Sequence, residues 1–178
     1  MSTSKSLSLT DIKRELYNHC QQYVEQRIKA AQEAIDAAQH AANDETKSSS
    51  GDKYETGRAM MQLEIEKNTV QLSESLKLKH TLEQINPAQE PVSVQAGSLV
   101  ITDRETFFIA ISIGKVELLR ETYLVISPAS PIGQKLLGLK TGSTMTFQGR
   151  ITVGTSARTM HAWWQTVAEW WERGWPPS

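Results

Sequence analysis

From residue 9 to residue 85 the chain carries a helical pattern with one strong break, Ser48-Ser49-Ser50-Gly51-Asp52-Lys53-Tyr54-Glu55-Thr56-Gly57. Before the break, apolar or small residues recur at Ile12, Leu16, Cys20, Val24, Ile28, Ala31, Ile35, Ala38 and Ala42. These spacings of four and three place them on one helix face. Thr10 or Ser8 is suited to the N-cap, and Asp11 is favourable in the first turn. A helix over about residues 9–43 would be roughly 50 Å long at 1.5 Å per residue. Its stripe narrows to alanine between Ala30 and Ala42, which lets a partner approach closely. After the break the pattern resumes through Tyr54, Met61, Ile65, Leu72, Leu76, Leu82 and Ile85, with Asn68 and Lys79 in or beside the stripe. Polar seam residues of this kind cost stability and can fix the register of paired helices. Each helix needs the other to cover its apolar stripe, so the pattern predicts a long antiparallel helical hairpin of coiled-coil type over 9–85, its tip at 48–57. A hairpin serving only as a structural spacer fits the same periodicity.

The break carries two carboxylates, Asp52 and Glu55, one helical turn apart and therefore on one face if the second helix starts near Asp52. Hard divalent cations take oxygen ligands of this kind, and two acids are too few for a closed site. The metal would have to be held elsewhere. Asp52 as N-cap with Glu55 as its N3 partner is the structural alternative, a capping-box arrangement worth about 1 kcal/mol. The two readings are compatible, because a cap fixes both side chains.

Asn86-Pro87-Ala88-Gln89-Glu90-Pro91 ends the helical pattern and reads as a linker over 86–91, since each proline lacks an N–H and pushes its predecessor out of helical geometry. From 92 to 153 the pattern is β-rich. Strands are expected at Ser98–Thr102, Thr106–Ile113, Thr122–Ile126 and Thr144–Gln148, with another at Arg150–Val153. Between them Ser130 can cap a short helix, Pro131 suits its first position and Gly138 its C′ position. Leu136, Leu137 and Leu139 are expected in the core. The fold class is thus α+β: a helical hairpin followed by a small antiparallel β-rich domain with one short helix.

Composition narrows the partners. A formal charge of −1 on 178 residues gives no reason to expect independent DNA binding or an anionic membrane as partner, so a protein partner is the default. The one cysteine, Cys20, excludes an intrachain disulfide framework and a cysteine-rich zinc site. As an acyl-transfer nucleophile it lacks a glycine-rich elbow and a positioned base. His19, His40, His80 and His161 are scattered singly. The polar start and the lack of a transmembrane-length apolar run predict a soluble, cytoplasmic chain. Residues 154–178 form a distinct tail that holds all five tryptophans, Trp163, Trp164, Trp170, Trp171 and Trp175. With Val167, the first four share one helical face, which could bind a partner or fold back on the body; with Glu169 and Glu172 beside it, membrane docking ranks lowest, and a tail that is an unselected extension is the fourth alternative.

Order and spacing of these features resemble the Gre family of bacterial transcript cleavage factors. Gly51-Asp52-Lys53-Tyr54-Glu55 is similar to the family's Gly-Asp-x-x-Glu tip motif, and Ser130-Pro131-Ile132-Gly133…Leu136-Leu137-Gly138-Leu139-Lys140-Thr141-Gly142 is similar to its C-terminal signature. The resemblance covers roughly residues 9–153. It implies an FKBP-like domain that docks on RNA polymerase and a hairpin that enters the polymerase secondary channel. There Asp52 and Glu55 would help hold the second catalytic magnesium ion and position a water, near the nascent RNA 3′ end, and the polymerase itself would hydrolyse backtracked RNA. The chain would be no enzyme in its own right, and would have no cofactor of its own. Where family members place asparagine and then an acid and an aromatic, this chain has Thr56, Gly57, Arg58 and Ala59. Arg58 favours a second reading, a Gre-related regulator that docks without promoting cleavage. A third is a non-enzymatic interaction module.

Overall fold

The computed structural model describes residues 7–45 and 52–153. The tip residues Ser48–Gly51 and the tryptophan tail lie outside the described residues. Two long helices, α1 (Leu9–Glu45) and α2 (Asp52–Glu83), precede six strands and a short helix: β1 (Leu99–Ile101), β2 (Thr106–Ile109), β3 (Gly114–Leu118), β4 (Glu121–Ile126), α3 (Pro131–Leu136), β5 (Thr144–Thr146) and β6 (Arg150–Thr152). The class is α+β, two long helices followed by an antiparallel-rich sheet. The chain divides into a helical unit, Asn18–Gln84, and a second unit that joins the start of α1 to the described residues from Ile85 to Val153.

α1 starts where the sequence places a cap. The Ser8 hydroxyl accepts from the Asp11 backbone N–H at 3.2 Å, while the Asp11 carboxylate accepts from the Ser8 N–H at 3.2 Å. This reciprocal pair satisfies two N–H groups at the helix start.

In the helical unit the expected face of α1 is the covered one: Cys20, Val24, Ala31 and Ala38 are buried, with Ile28, Ile35 and Ala42 half-buried between them. On α2 the covered residues are Met61, Ile65, Asn68, Leu72, Ser75, Leu78 and Leu82. This differs from the predicted stripe at two places. Ser75 and Leu78 face inward where Leu76 and Lys79 were expected; Leu76 is 49% exposed. A seam that advances by threes and fours from Leu72 reaches Ser75 next, and serine is small enough to be covered completely. Val24 and Leu82 line one small cavity, so the helices are neighbours there. Seven residues climb about 10.5 Å on either helix. From that level, steps of seven reach Ala31 and Ala38 up α1, and Ser75 and Asn68 down α2. Both buried polar residues bond within their own helix: the Asn68 amide donates to the Glu64 carbonyl at 2.8 Å, and the Ser75 hydroxyl to the Gln71 carbonyl at 2.8 Å. Their burial therefore leaves no donor without a partner.

The second unit is built on a four-stranded sheet in the order β1-β2-β4-β3. β1–β2 and β3–β4 are antiparallel, but β2 and β4 run parallel, with Phe107 opposite Leu124 and Phe108 opposite Val125. A wholly antiparallel sheet was expected. The parallel pair arises because the strand predicted to run to Ile113 ends at Ile109, and the chain crosses to the far edge to form β3 before returning as β4. β3 was not predicted. Its hairpin turns through Leu119 and Arg120, both with positive φ, 54° and 69°. Glycine, asparagine or aspartate normally marks such a turn, and none is present.

Alternation along the strands gives the sheet two buried faces. One places Val100, Phe107 and Ile109 against Leu136 and Val153, with Leu124, Ile126, Ile132, Leu139 and Met145 packed around them. The other carries Phe108, Val116, Tyr123 and Val125, all buried. β5 and β6 form a separate two-stranded ribbon. Leu137, expected in the core, is 39% exposed. It lies just past the end of α3 as its C-cap residue, with φ −54° and ψ 134°, outside helical geometry.

Candidate functional site

α2 takes Asp52 as its first residue and Glu55 follows three residues later, so the two predicted site residues fall in the same first turn. A helix start leaves N–H groups without intrahelical acceptors, and carboxylates are favoured there. Glu55 is exposed, as is Arg58 one turn further on, while Gly57 is half-covered. The Asp52 side chain and the cap it was expected to form lie outside the described residues. The second helix thus begins with an acid, and the next acid on that face projects into solvent. Among the described residues no group of three or more His, Cys, Asp or Glu side chains could hold a metal ion. Two carboxylates on one helical turn suit a hard cation by their chemistry and leave most of its coordination to be supplied by another molecule.

The Ser130–Gly142 stretch resolves into physical parts. Ser130 is the N-cap of α3: its hydroxyl accepts from the Gly133 N–H at 3.1 Å and donates to the Ser127 carbonyl at 2.7 Å. Pro131 holds the first helical position, where a missing N–H costs nothing. Gly133 is required by space, because a Cβ there would collide with the Ser127 carbonyl oxygen and come within 2.8 Å of the Ser130 hydroxyl. Leu136 is fully buried in the sheet core. Gly138, at φ +78°, turns the chain so that its N–H donates to the Val94 carbonyl at 2.8 Å, and the Leu139 carbonyl accepts from the Val94 N–H at 2.8 Å. The Lys135 ammonium bonds the Thr146 carbonyl at 3.0 Å and sits 5.9 Å from the Phe147 ring centroid, tying α3 to the ribbon. Every part closes the domain on itself.

Two titratable residues are placed where reactivity is suppressed or altered. Cys20 is completely buried and its thiol is pushed up to about 12 by that burial, so at neutral pH it is protonated and inert as a nucleophile. Lys13, which the periodicity leaves unremarked, is 7% exposed; its ammonium donates to the Gln89 carbonyl at 2.6 Å. Burial pushes Lys13 below the ordinary lysine value, and the Glu90 carboxylate pulls it back up. Its sequence position beside Ile12 gives little warning of this, because the acceptor lies 76 residues away. His19 and His40 are exposed and His80 stands 3.8 Å from Glu83 on the α2 surface, while His161 is outside the described residues.

No protein-family model, curated protein or solved structure matches this chain. Among the described residues no helix is long and apolar enough to cross a membrane.

Proposed function

We propose that the chain is a Gre-type transcription elongation factor: it binds RNA polymerase, inserts the Asp52–Glu55 end of a coiled-coil hairpin into the secondary channel, and stimulates the polymerase's own cleavage of backtracked RNA. The observation that carries this reading is the exposed Glu55 one turn into a helix that starts at Asp52, in a chain whose later Ser130-capped helix resembles the family's C-terminal signature in the same order. Asp52 and Glu55 would share a magnesium ion with the polymerase, since a two-metal site needs acidic oxygens to retain its more weakly held ion. The ion supplies water activation at neutral pH; the chain's own part is to carry the two carboxylates and hold them on one face. An FKBP-like domain over 92–153 would dock on the polymerase exterior. Fold analogy alone is no ground for assigning that domain peptidyl-prolyl isomerase activity.

Exposed Arg58, one turn beyond Glu55, supports the second reading, a regulator that enters the same channel without promoting cleavage, because a guanidinium on that turn opposes a cation. Cleavage by a stalled, backtracked polymerase decides between them. The natural chain should accelerate cleavage, and Asp52→Ala and Glu55→Ala should each remove most of the acceleration while polymerase binding persists. Binding without acceleration selects the regulator, with Arg58→Asn expected to restore some cleavage. No binding in any form leaves the interaction module.

A further inference from the structure

In the unit that contains the sheet, a cavity of about 350 Å³ opens among the first turns of α1, the linker and β1. This is the small end of ligand-pocket volumes, ~300–1,000 Å³, and suits one ring system better than an extended peptide. Its apolar wall comes from Val94, Val100, Leu139 and Val153, with Val92 at 86% exposure beside them. Lys13 and Glu90 also line it. The Lys13 ammonium has three donors, and one is used on the Gln89 carbonyl.

Val153 fixes where the chain goes next. Its N–H donates to the Ser143 carbonyl at 2.8 Å, its carbonyl accepts from the Gly142 N–H at 2.9 Å, and it bridges Thr102. The last described residue is therefore held at the cavity wall. All five tryptophans of the chain follow, the nearest being Trp163 and Trp164. The ten residues from Val153 to Trp163 span at most about 35 Å, and a loop this short costs little closure entropy relative to longer ones.

We propose that this cavity is a docking site for the chain's own 154–178 segment, with the indole of Trp163 or Trp164 as its occupant. The chemistry is complementary on three counts. Valine and leucine cover the ring, the Lys13 ammonium meets an aromatic face, and the Glu90 carboxylate accepts the indole N–H. Docking would also cover the exposed Val92.

Because every tryptophan lies in that segment, the intrinsic tryptophan emission of the full chain reports on it alone. A fraction of the emission should be blue-shifted relative to tryptophan in water and shielded from acrylamide, independently of protein concentration. Val92→Arg and Thr141→Arg, both at exposed cavity positions, should each red-shift that fraction and raise its quenching, with the far-UV circular dichroism of the fold preserved. The double variant Trp163→Phe/Trp164→Phe should lose the shielded fraction. Emission unchanged by both arginine variants overturns the proposal, as does shielding that vanishes on dilution, which would report association between copies. A shielded fraction that survives the double variant overturns the choice of occupant.

Discussion

Along the helical unit the buried positions are Cys20, Val24, Ala31, Ala38, Asn68, Ser75 and Leu82, whereas the sheet unit buries Phe107, Phe108, Ile109, Ile111, Leu136 and Val125. Fully burying a large side chain such as Phe or Ile contributes ~1.5–3 kcal/mol, and alanine or serine a small part of that. The sheet is therefore held by a few large contributions from residues far apart in sequence. The helix pair is held by a long row of small ones, supported by backbone hydrogen bonds and by short-range ion pairs such as Lys29–Glu33 and Glu64–Lys67 on exposed surfaces, which add little. The contrast teaches that a helix pair covered through small residues gives up core volume. It should open at a lower free energy than the sheet.

The strongest way to break this comparison is to remove a large contribution from the sheet. Phe108→Ala should cost about 3–5 kcal/mol, the range for truncating a buried aromatic side chain. In hydrogen exchange read by mass spectrometry, the loss should fall on peptides from 99–126, with those from 18–45 and 52–84 changing less. Equal loss in both sets would mean that the two units open as one cooperative block.

The opposite intrusion sharpens the same contrast. Ala31→Leu puts a large side chain into a position that is 3% exposed, between the half-buried Ile28 and Ile35 of the same face. Overpacking of this kind costs about 1–3 kcal/mol. Exchange should quicken across α1 and α2 and stay unchanged in the strands. If it stabilises the helices instead, the alanine stretch is loosely packed and the low-volume account of the helix pair fails.

How much of this was legible in the sequence follows the same division. The α1 stripe was readable residue by residue, because helical period and burial coincide from Ile12 to Ala42. On α2 the inward positions Asn68 and Ser75 are polar, so a hydrophobic pattern selected Leu76 where tertiary packing selected its neighbour. Ser130, Pro131 and Gly138 were legible because caps are local chemistry. β3 was not: its turn residues, Leu119 and Arg120, adopt positive φ without the residue types that advertise it. The parallel β2–β4 pair was equally hidden, since strand direction depends on a crossover that no short-range pattern encodes. For the candidate site, the common turn of Asp52 and Glu55 could be read from spacing. The burial of Lys13 could not, because its partner comes from the linker.

A smaller effect separates local from distributed stabilisation. Ser130→Ala removes the acceptor for the Gly133 N–H and should cost about 1 kcal/mol, the usual worth of an N-cap. The change should appear as a lower thermal midpoint, with faster exchange confined to 127–139. A loss several times larger would mean that the Ser130 hydroxyl bond to the Ser127 carbonyl, at 2.7 Å, also holds the loop before α3.

The smallest effect at neutral pH is that of Cys20, and its sign changes nothing until the solution becomes alkaline. Its thiol is raised from 9.0 to about 12 by burial in the folded chain. The folded state therefore keeps a proton that the unfolded state releases, and stability falls as pH rises between those two values. Below the lower value the thiol contributes no pH dependence. In the folded chain a thiol reagent such as a disulfide-forming nitrobenzoate should react at a rate set by opening of the helix pair, with little thiolate available from the closed state. Ala31→Leu, by loosening the seam, should accelerate that reaction, while Ser130→Ala, confined to the other unit, should leave it alone. Fast labelling of the natural chain at pH 8 would place Cys20 at an open position and remove the basis for treating the small-residue row as a closed seam.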